Sequence, residues 1–301
     1  MEYKENIMRS RAEASAFPAN MTSSAYQESP FGAAGRATPL RVLVLGCGDV
    51  GSAVAHRLFR LGAHVASCDL ARPAHARRGM AYTDAMFDGH ATLDGVTARR
   101  VEDVAGILAC WNEGRCIPVV ALPEPPLIEA LRPDVLIEAT MRRHRVPPDL
   151  RGLAPLTVGL GPGFAIDVNC DVAIETQWGE RMGAVLHEGA TAALAGGPQP
   201  LNGVTRERFV AAPVTGTWRC EATLGEPVRA AQIVGRLAGQ PVLAPIDGIL
   251  RGITRDGVEV RAGQRIVEVD PRDPPQVFGL GERPAAIARG VAAAIGLNGG
   301  S

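Results

Sequence analysis

The sequence predicts an α/β fold, a doubly wound parallel sheet followed by a smaller β-rich module. Three observations carry that expectation. Short apolar runs alternate with helical stretches between Arg41 and Leu160, as expected of strands buried on both faces of a sheet. A glycine-rich turn joins the first run directly to the first helix. Far downstream, a segment beginning at Ala212 recurs in register at Ala244, the mark of a duplicated structural unit.

Taken in order, Arg41–Leu45 (RVLVL) is the first strand. Val50, Val54, Leu58 and Leu61 then recur at helical spacing, with His56, Arg57 and Arg60 on the other faces, and Gly62 ends the helix. Residues 64–70 (HVASCDL) form a second strand running onto Asp69. Strands are predicted at 97–101, 117–121, 134–140 and 154–160, and helices at 102–113 and 124–131. Beyond Leu160 the helical alternation stops, and 171–178 and 183–187 read as strands of a different subdomain. The expected division is a disordered tail (1–39), a dinucleotide-binding domain (40–160), a β-rich connecting region (161–206), a repeat-containing module (207–275) and a C-terminal helix and tail (276–301).

Composition narrows the function. A chain of 301 residues, 46% of them hydrophobic, can bury a core of about two domains. Its formal charge of -1 offers no field for a nucleic-acid backbone, so no nucleic-acid partner is expected. No apolar run reaches the roughly twenty residues of a membrane span, and the N-terminal segment lacks the apolar centre of a secretory signal. No membrane association and a cytoplasmic location are the expectations. That segment is rich in Ala, Ser, Pro and Gly without periodicity, which predicts disorder. Six cysteines without Cys-x-x-Cys spacing predict reduced core thiols, with no disulfide and no metal site. Lys4 is the sole lysine among 31 basic residues. A Walker A loop and a pyridoxal phosphate Schiff base both need a lysine, so both classes fall away.

In the C-terminal third, Ala212-Pro213-Val214-Thr215-Gly216 matches Ala244-Pro245-Ile246-Asp247-Gly248. Val228-Arg229-Ala230-Ala231-Gln232 matches Val260-Arg261-Ala262-Gly263-Gln264 without a gap. This pattern resembles the barrel-sandwich fold of biotinyl and lipoyl domains, in which the modified lysine sits on the hairpin between the halves. Here that position, near Leu237 to Gln240, has no lysine. Covalent biotin or lipoate is therefore excluded, and the module is expected to be structural or to dock a partner.

The turn Gly46-Cys47-Gly48-Asp49-Val50-Gly51 follows a strand, opens a helix and precedes Asp69 by about twenty residues, the Rossmann-like arrangement. Gly46 permits the tight turn, Gly48 lets a pyrophosphate approach, and Gly51 lets the helix pack on the sheet. The N–H groups opening at Asp49 face the phosphates. Asp69 can accept from a ribose hydroxyl and would repel a 2'-phosphate, which favours NAD-like ligands. Arg142, Arg143 and Arg145 follow a strand where such sheets bind ligands, and suit phosphate or carboxylate. His144 between them is a candidate acid or base. Gly161 and Gly163 flank a second turn with backbone N–H groups for an anion. The acids Asp167, Asp171 and Glu175 beyond it fit no metal spacing and read as an exposed hairpin. Cys47 at the helix N-terminus is a candidate thiolate, although a small loop filler is the simpler reading.

Several segments resemble the YqeB-like accessory proteins encoded with selenium-dependent molybdenum hydroxylase systems. They are Val44 to Asp49 with Ala55 to Arg60, Gly159 to Phe164, Ile174 to Thr176, Glu207-Arg208, Ala212-Pro213, Gly248 to Gly252 and Asp270 to Arg272. This resemblance implies a role like that of xanthine dehydrogenase accessory factors, which deliver or modify a molybdopterin cofactor. The implied ligand is molybdopterin cytosine dinucleotide, whose pyrophosphate and ribose are the groups that the glycine turn and Asp69 would read; NAD is the other expectation. Implied partners are a molybdenum hydroxylase subunit or other cofactor-maturation proteins. The family usually has Ala at Cys47 and a Lys-Arg-Asn segment near Arg142 to His144. The readings that stand beside it are an NAD-dependent oxidoreductase using His144, and a ligand-free scaffold.

Overall fold

The computed structural model describes residues 38–141, 146–194 and 197–297. The expected tail therefore falls almost wholly outside the described residues, as do Arg142, Arg143, His144 and Arg145.

One sheet organises the first half of the chain. Its strands are β1 (Arg41–Leu45), β2 (His64–Cys68), β3 (His90–Leu93), β4 (Val96–Arg100), β5 (Ile117–Val120), β6 (Val135–Glu138), β7 (Leu156–Leu160), β8 (Val172–Ile174) and β9 (Val185–Leu186), in the order β3-β4-β5-β2-β1-β6-β7-β8-β9. Every pairing from β4 to β8 is parallel, and β3 and β9 close the edges antiparallel. Alternation on the strands feeds two cores. Val42 and Val44 face helices α1 (Asp49–Arg60) and the C-terminal helix, whereas Leu43 and Leu45 face Ile107, Trp111, Leu127 and Leu131 on the other side. The latter come from two helices at Val104–Glu113 and Glu124–Leu131. Counting the one-turn helix α2 (Ala85–Asp88), these are α3 and α4, and the C-terminal helix Glu282–Ala294 is α5.

Two differences from expectation concern the sheet. Residues 172–174 and 185–186 are not a separate subdomain: they extend the main sheet from β7. The crossover from β7 to β8 has no helix; Phe164 packs against Gly159, where a Cβ would stand 2.2 Å from its ring, and joins Ile166 and Cys170 in the core. The C-terminal helix also returns to this sheet. At Gly290 a Cβ would stand 2.1 Å from the Gly183 carbonyl oxygen, and at Gly183 one would stand 2.5 Å from the Ala286 carbonyl oxygen, so the helix and the β8–β9 turn meet backbone to backbone.

The second half is built from two antiparallel four-stranded sheets. One is β10 (Phe209–Ala211), β17 (Arg265–Asp270), β15 (Gly248–Ile253) and β12 (Pro227–Val228), in that order. The other is β14 (Gln240–Leu243), β13 (Ile233–Leu237), β11 (Gly216–Cys220) and β16 (Glu259–Val260). The repeat maps each strand of one sheet onto its counterpart in the other. Its turns match atom for atom: Arg229 N–H donates to Gln232 Oε1 at 3.0 Å and Arg261 N–H to Gln264 Oε1 at 3.1 Å. Ala231 N–H meets the Ala244 carbonyl at 2.9 Å, and Gly263 N–H the Ala212 carbonyl at 2.8 Å. The core between the sheets holds Trp218, Leu250, Ile266 and Val269.

A strap between β2 and α2 ties the halves together. Ile253 N–H donates to the Ala76 carbonyl at 2.9 Å, Gln264 Nε2 to the Ala74 carbonyl at 2.7 Å, and Arg78 Nε to the Ile253 carbonyl at 3.0 Å. The module is thereby held over the carboxyl ends of the sheet strands.

Candidate functional site: an arginine-lined cleft

The glycine turn has the backbone its residues require. Gly46 has φ +105°, and a Cβ on Gly51 would lie 2.0 Å from the Gly46 carbonyl oxygen, so helix α1 approaches the turn too closely for any side chain. Ser52 Oγ braces the turn by donating to the Cys47 carbonyl at 2.8 Å, and accepts from Tyr82 N–H at 2.8 Å.

Around this turn the expected ligand groups are already engaged. Asp69 accepts from Cys47 N–H at 2.6 Å and from Leu70 N–H at 2.7 Å. The strap lays His75 over Gly48, with its Cε1 3.3 Å from where a Cβ would stand. A pyrophosphate on Gly48 therefore requires the strap to move. His75 Nε2 is buried without a hydrogen-bond partner among the described residues. Burial holds this imidazole below the usual histidine pKa, although Asp49, Asp69 and Asp84 pull the other way.

Cys47 corrects the thiolate expectation. It is 1% exposed, and burial, followed by the nearby Asp69 and Cys68, pushes its thiol well above the usual range. Glu175 corrects the exposed-hairpin reading. It is 3% exposed and accepts from Thr176 N–H and Gln177 N–H at 2.7 and 2.8 Å and from Ala192 N–H at 2.7 Å. Asp171 accepts from Thr157 N–H and Oγ1 at 2.8 and 2.6 Å. Among the described residues no three His, Cys, Asp or Glu side chains are grouped to hold a metal ion.

The open space lies beside the glycine turn, between the sheet and the module. A cleft of about 1210 Å³ runs there, with Asp49, Met141 and Pro162 at the sheet side. Gly161 closes against Met141 and Thr176, and Gly163 against Pro147, so the second turn gives the cleft its Pro162. Seven arginines line it: Arg77, Arg206, Arg208, Arg251, Arg265, Arg272 and Arg283. The acids on the same walls are Asp49, Glu175 and Glu282. In a chain of net charge -1 this is a local concentration of positive charge.

One buried carboxylate organises that charge. Glu268, 2% exposed, is met by Arg77 Nε at 2.5 Å, Arg208 Nε at 3.2 Å and Arg251 Nη1 at 3.6 Å. Burial alone would raise its pKa; the three guanidinium groups outweigh that and hold it below the usual range. Arg77 also reaches Asp49 at 3.2 Å. Burial raises the Asp49 carboxyl too, but Arg77, His75 and Arg283 bring it down to about 2. Arg272 is neutralised by Asp270 at 2.6 Å. Arg208 and Arg265 both lie over the Phe209 ring, at 4.4 and 4.1 Å from its centroid.

Arg251 is the least satisfied of the three arginines that meet Glu268. It is 7% exposed, its Nη2 meets only the Met80 sulfur at 3.7 Å, and its Nε has no partner among the described residues. Burial, with Arg77 and Arg272 nearby, depresses its pKa against the pull of Glu268. A buried cation left this short of acceptors is costly unless an anion completes it. Sequence reasoning missed the cleft because its arginines are spread from residue 77 to residue 283 and meet only through the fold.

The fold and the site together define an α/β protein with an arginine-lined cleft between a mostly parallel sheet and a duplicated β module. The chain is similar to the uncharacterized protein YqeB of Escherichia coli (strain K12), at 32% identity over 255 residues, 84% of this chain and 47% of that protein. It thus spans about half the length of the curated relative it matches. No family model matches. Among solved structures, the apo ectoine utilization protein EutE (DoeB) of Ruegeria pomeroyi aligns over 78% of this chain and 87% of its own at 13% identity and a TM-score of 0.23. A succinylglutamate desuccinylase/aspartoacylase of Rhodobacter sphaeroides aligns over 78% and 86%, at 13% identity and a TM-score of 0.27. At those scores neither likeness carries an argument.

Proposed function

We propose that the protein is an accessory factor for maturation of a molybdenum hydroxylase, and that it holds a dinucleotide in the arginine-lined cleft. The ligand is molybdopterin cytosine dinucleotide or NAD. In this reading the Rossmann-like sheet supplies the floor of the site, and the barrel-sandwich module supplies its cationic wall and docks a hydroxylase subunit or another maturation protein. Gly46, Gly48 and Gly51 act as packing glycines, and Asp69 pins the turn.

The observation that supports this most directly is the under-paired, buried Arg251 in a cleft of about 1210 Å³. Such a volume is ample for a dinucleotide, and the cleft lies off the carboxyl ends of the strands, where open α/β sheets bind ligands. The residues present fit a bound polyanion: seven arginines line the cleft against the three carboxylates of Asp49, Glu175 and Glu282.

Thermal unfolding with each dinucleotide tests the reading. A ligand at about a hundred times its dissociation constant adds roughly 2.7 kcal/mol. Stabilisation by molybdopterin cytosine dinucleotide is expected. Stabilisation by neither that compound nor NAD would overturn it.

A further inference from the structure

Trp178 is 36% exposed and lines the cleft, whereas Trp111 and Trp218 are buried at 6% and 0%. An indole left open to solvent inside a concave site is an unused stacking surface. The backbone leading to it is fixed from both sides. Glu175 holds Thr176 and Gln177 by their N–H groups, and Arg283 Nε donates to the Thr176 carbonyl at 2.7 Å. The indole is thus presented from a pinned segment, which lowers the ordering cost of stacking a ring on it.

Elsewhere on the same walls the polar demand is of one kind. Arg208 and Arg251, both buried, share with Arg77 the one carboxylate of Glu268, and Arg251 Nε is left without an acceptor among the described residues. Guanidinium forks suit phosphoryl oxygens.

We propose that the cleft is a two-pole site for a phosphorylated planar heterocycle, with Arg251, Arg77 and Arg208 seating the phosphate and Trp178 stacking the ring. This rests on the cleft being the dinucleotide site, and adds which side chains read which end. A nucleoside diphosphate contains both poles, pyrophosphate only the first and a nucleoside only the second.

The test uses the full chain, with CDP, pyrophosphate and cytidine as probes, reading tryptophan fluorescence and calorimetric affinity. CDP is expected to quench fluorescence and bind more tightly than pyrophosphate, while pyrophosphate binds without the same quenching. Trp178→Leu should weaken CDP by about tenfold, the scale of one base stacked on an aromatic side chain, and leave pyrophosphate unchanged. Arg251→Met should weaken both. Trp178→Leu sits at an exposed position and decides the ring pole even if Arg251→Met does not fold. CDP affinity equal to wild type in Trp178→Leu would overturn the proposal, as would unchanged pyrophosphate affinity in a folded Arg251→Met. If both variants bind CDP as wild type does while a dinucleotide still stabilises the fold, this assignment falls and the broader function stands. If no dinucleotide stabilises the fold, the broader function falls whatever CDP does.

Discussion

Arg77 joins the two halves of the molecule: its Nε meets Glu268 on β17 at 2.5 Å while its Nη1 meets Asp49 at the start of α1 at 3.2 Å. Glu268 is the shared counter-charge of three guanidinium groups, of which Arg208 and Arg251 are buried, so its neutral isostere leaves those two opposed only by the more distant Asp270. Glu268→Gln is expected to destabilise the protein by about 3–5 kcal/mol, the scale for breaking a buried ion network from one side. Urea unfolding measures this; a loss within about 0.5 kcal/mol would show that the network does not hold the halves together.

Acid should unfold the protein partly through Asp49. Its folded pKa of about 2 lies below the ordinary 3.8, so its contribution is present above the unfolded value and lost as pH falls through the folded one. That contribution is about 2 kcal/mol. Glu268 and Asp270, also lowered, act with the same sign. Stability measured between about pH 5 and pH 2 should fall less steeply in Asp49→Asn than in wild type; identical slopes would contradict the assignment.

His75 adds an earlier step of acid sensitivity. Its folded pKa lies below 6.5 because the ring is buried, so the unfolded chain takes up a proton first and stability declines as pH falls below 6.5. His75→Gln should flatten that decline while leaving the lower-pH loss in place. Hydrogen-exchange protection of the 74–80 strap, corrected for the intrinsic pH dependence of amide exchange, would report the same step locally, and protection independent of pH there would contradict it.

The two glycines of the turn should behave differently on substitution. In Gly51→Ala the added carbon meets backbone at 2.0 Å, whereas in Gly48→Ala it meets only the His75 ring at 3.3 Å. Gly51→Ala is expected to cost more than about 3 kcal/mol or to fail to fold, and Gly48→Ala to cost about 1 kcal/mol or less. Equal melting temperatures for the two variants would sink this account of the turn.

The parts of the fold legible in the sequence are those whose cause is local. RVLVL reads as a buried strand because nearly every residue must be apolar there, and the register of the repeat carried over to eight strands in two sheets. Strand β3 was not recognised, since His90–Leu93 is half polar and exposed at an edge. The Asp94-Gly95 turn, with φ +41° and +81°, was its only clear signal. Strands β8 and β9 read as a different subdomain because the helical alternation stops after Leu160, yet they extend the main sheet through a crossover without a helix. The glycine turn was legible as a turn, but the strap that covers it comes from a charged segment with no periodicity. Arg208, Arg251 and Arg272 stand in segments that carry the resemblance, but the cleft they form with Arg77 was not legible, because these residues lie on separate elements of both halves. The arginine segment at 142–145, which the sequence did single out, lies outside the described residues.

The most direct test of the account is whether the cleft or the glycine turn takes the phosphates. Calorimetric titration with molybdopterin cytosine dinucleotide, and with NAD in parallel, should be run on wild type, Arg251→Met and Gly48→Ala. The account predicts a loss of about tenfold or more in Arg251→Met, the scale of a charge-assisted hydrogen bond, and an unchanged affinity in Gly48→Ala. Affinity lost in Gly48→Ala and kept in a folded Arg251→Met would contradict it and return the ligand to the glycine turn.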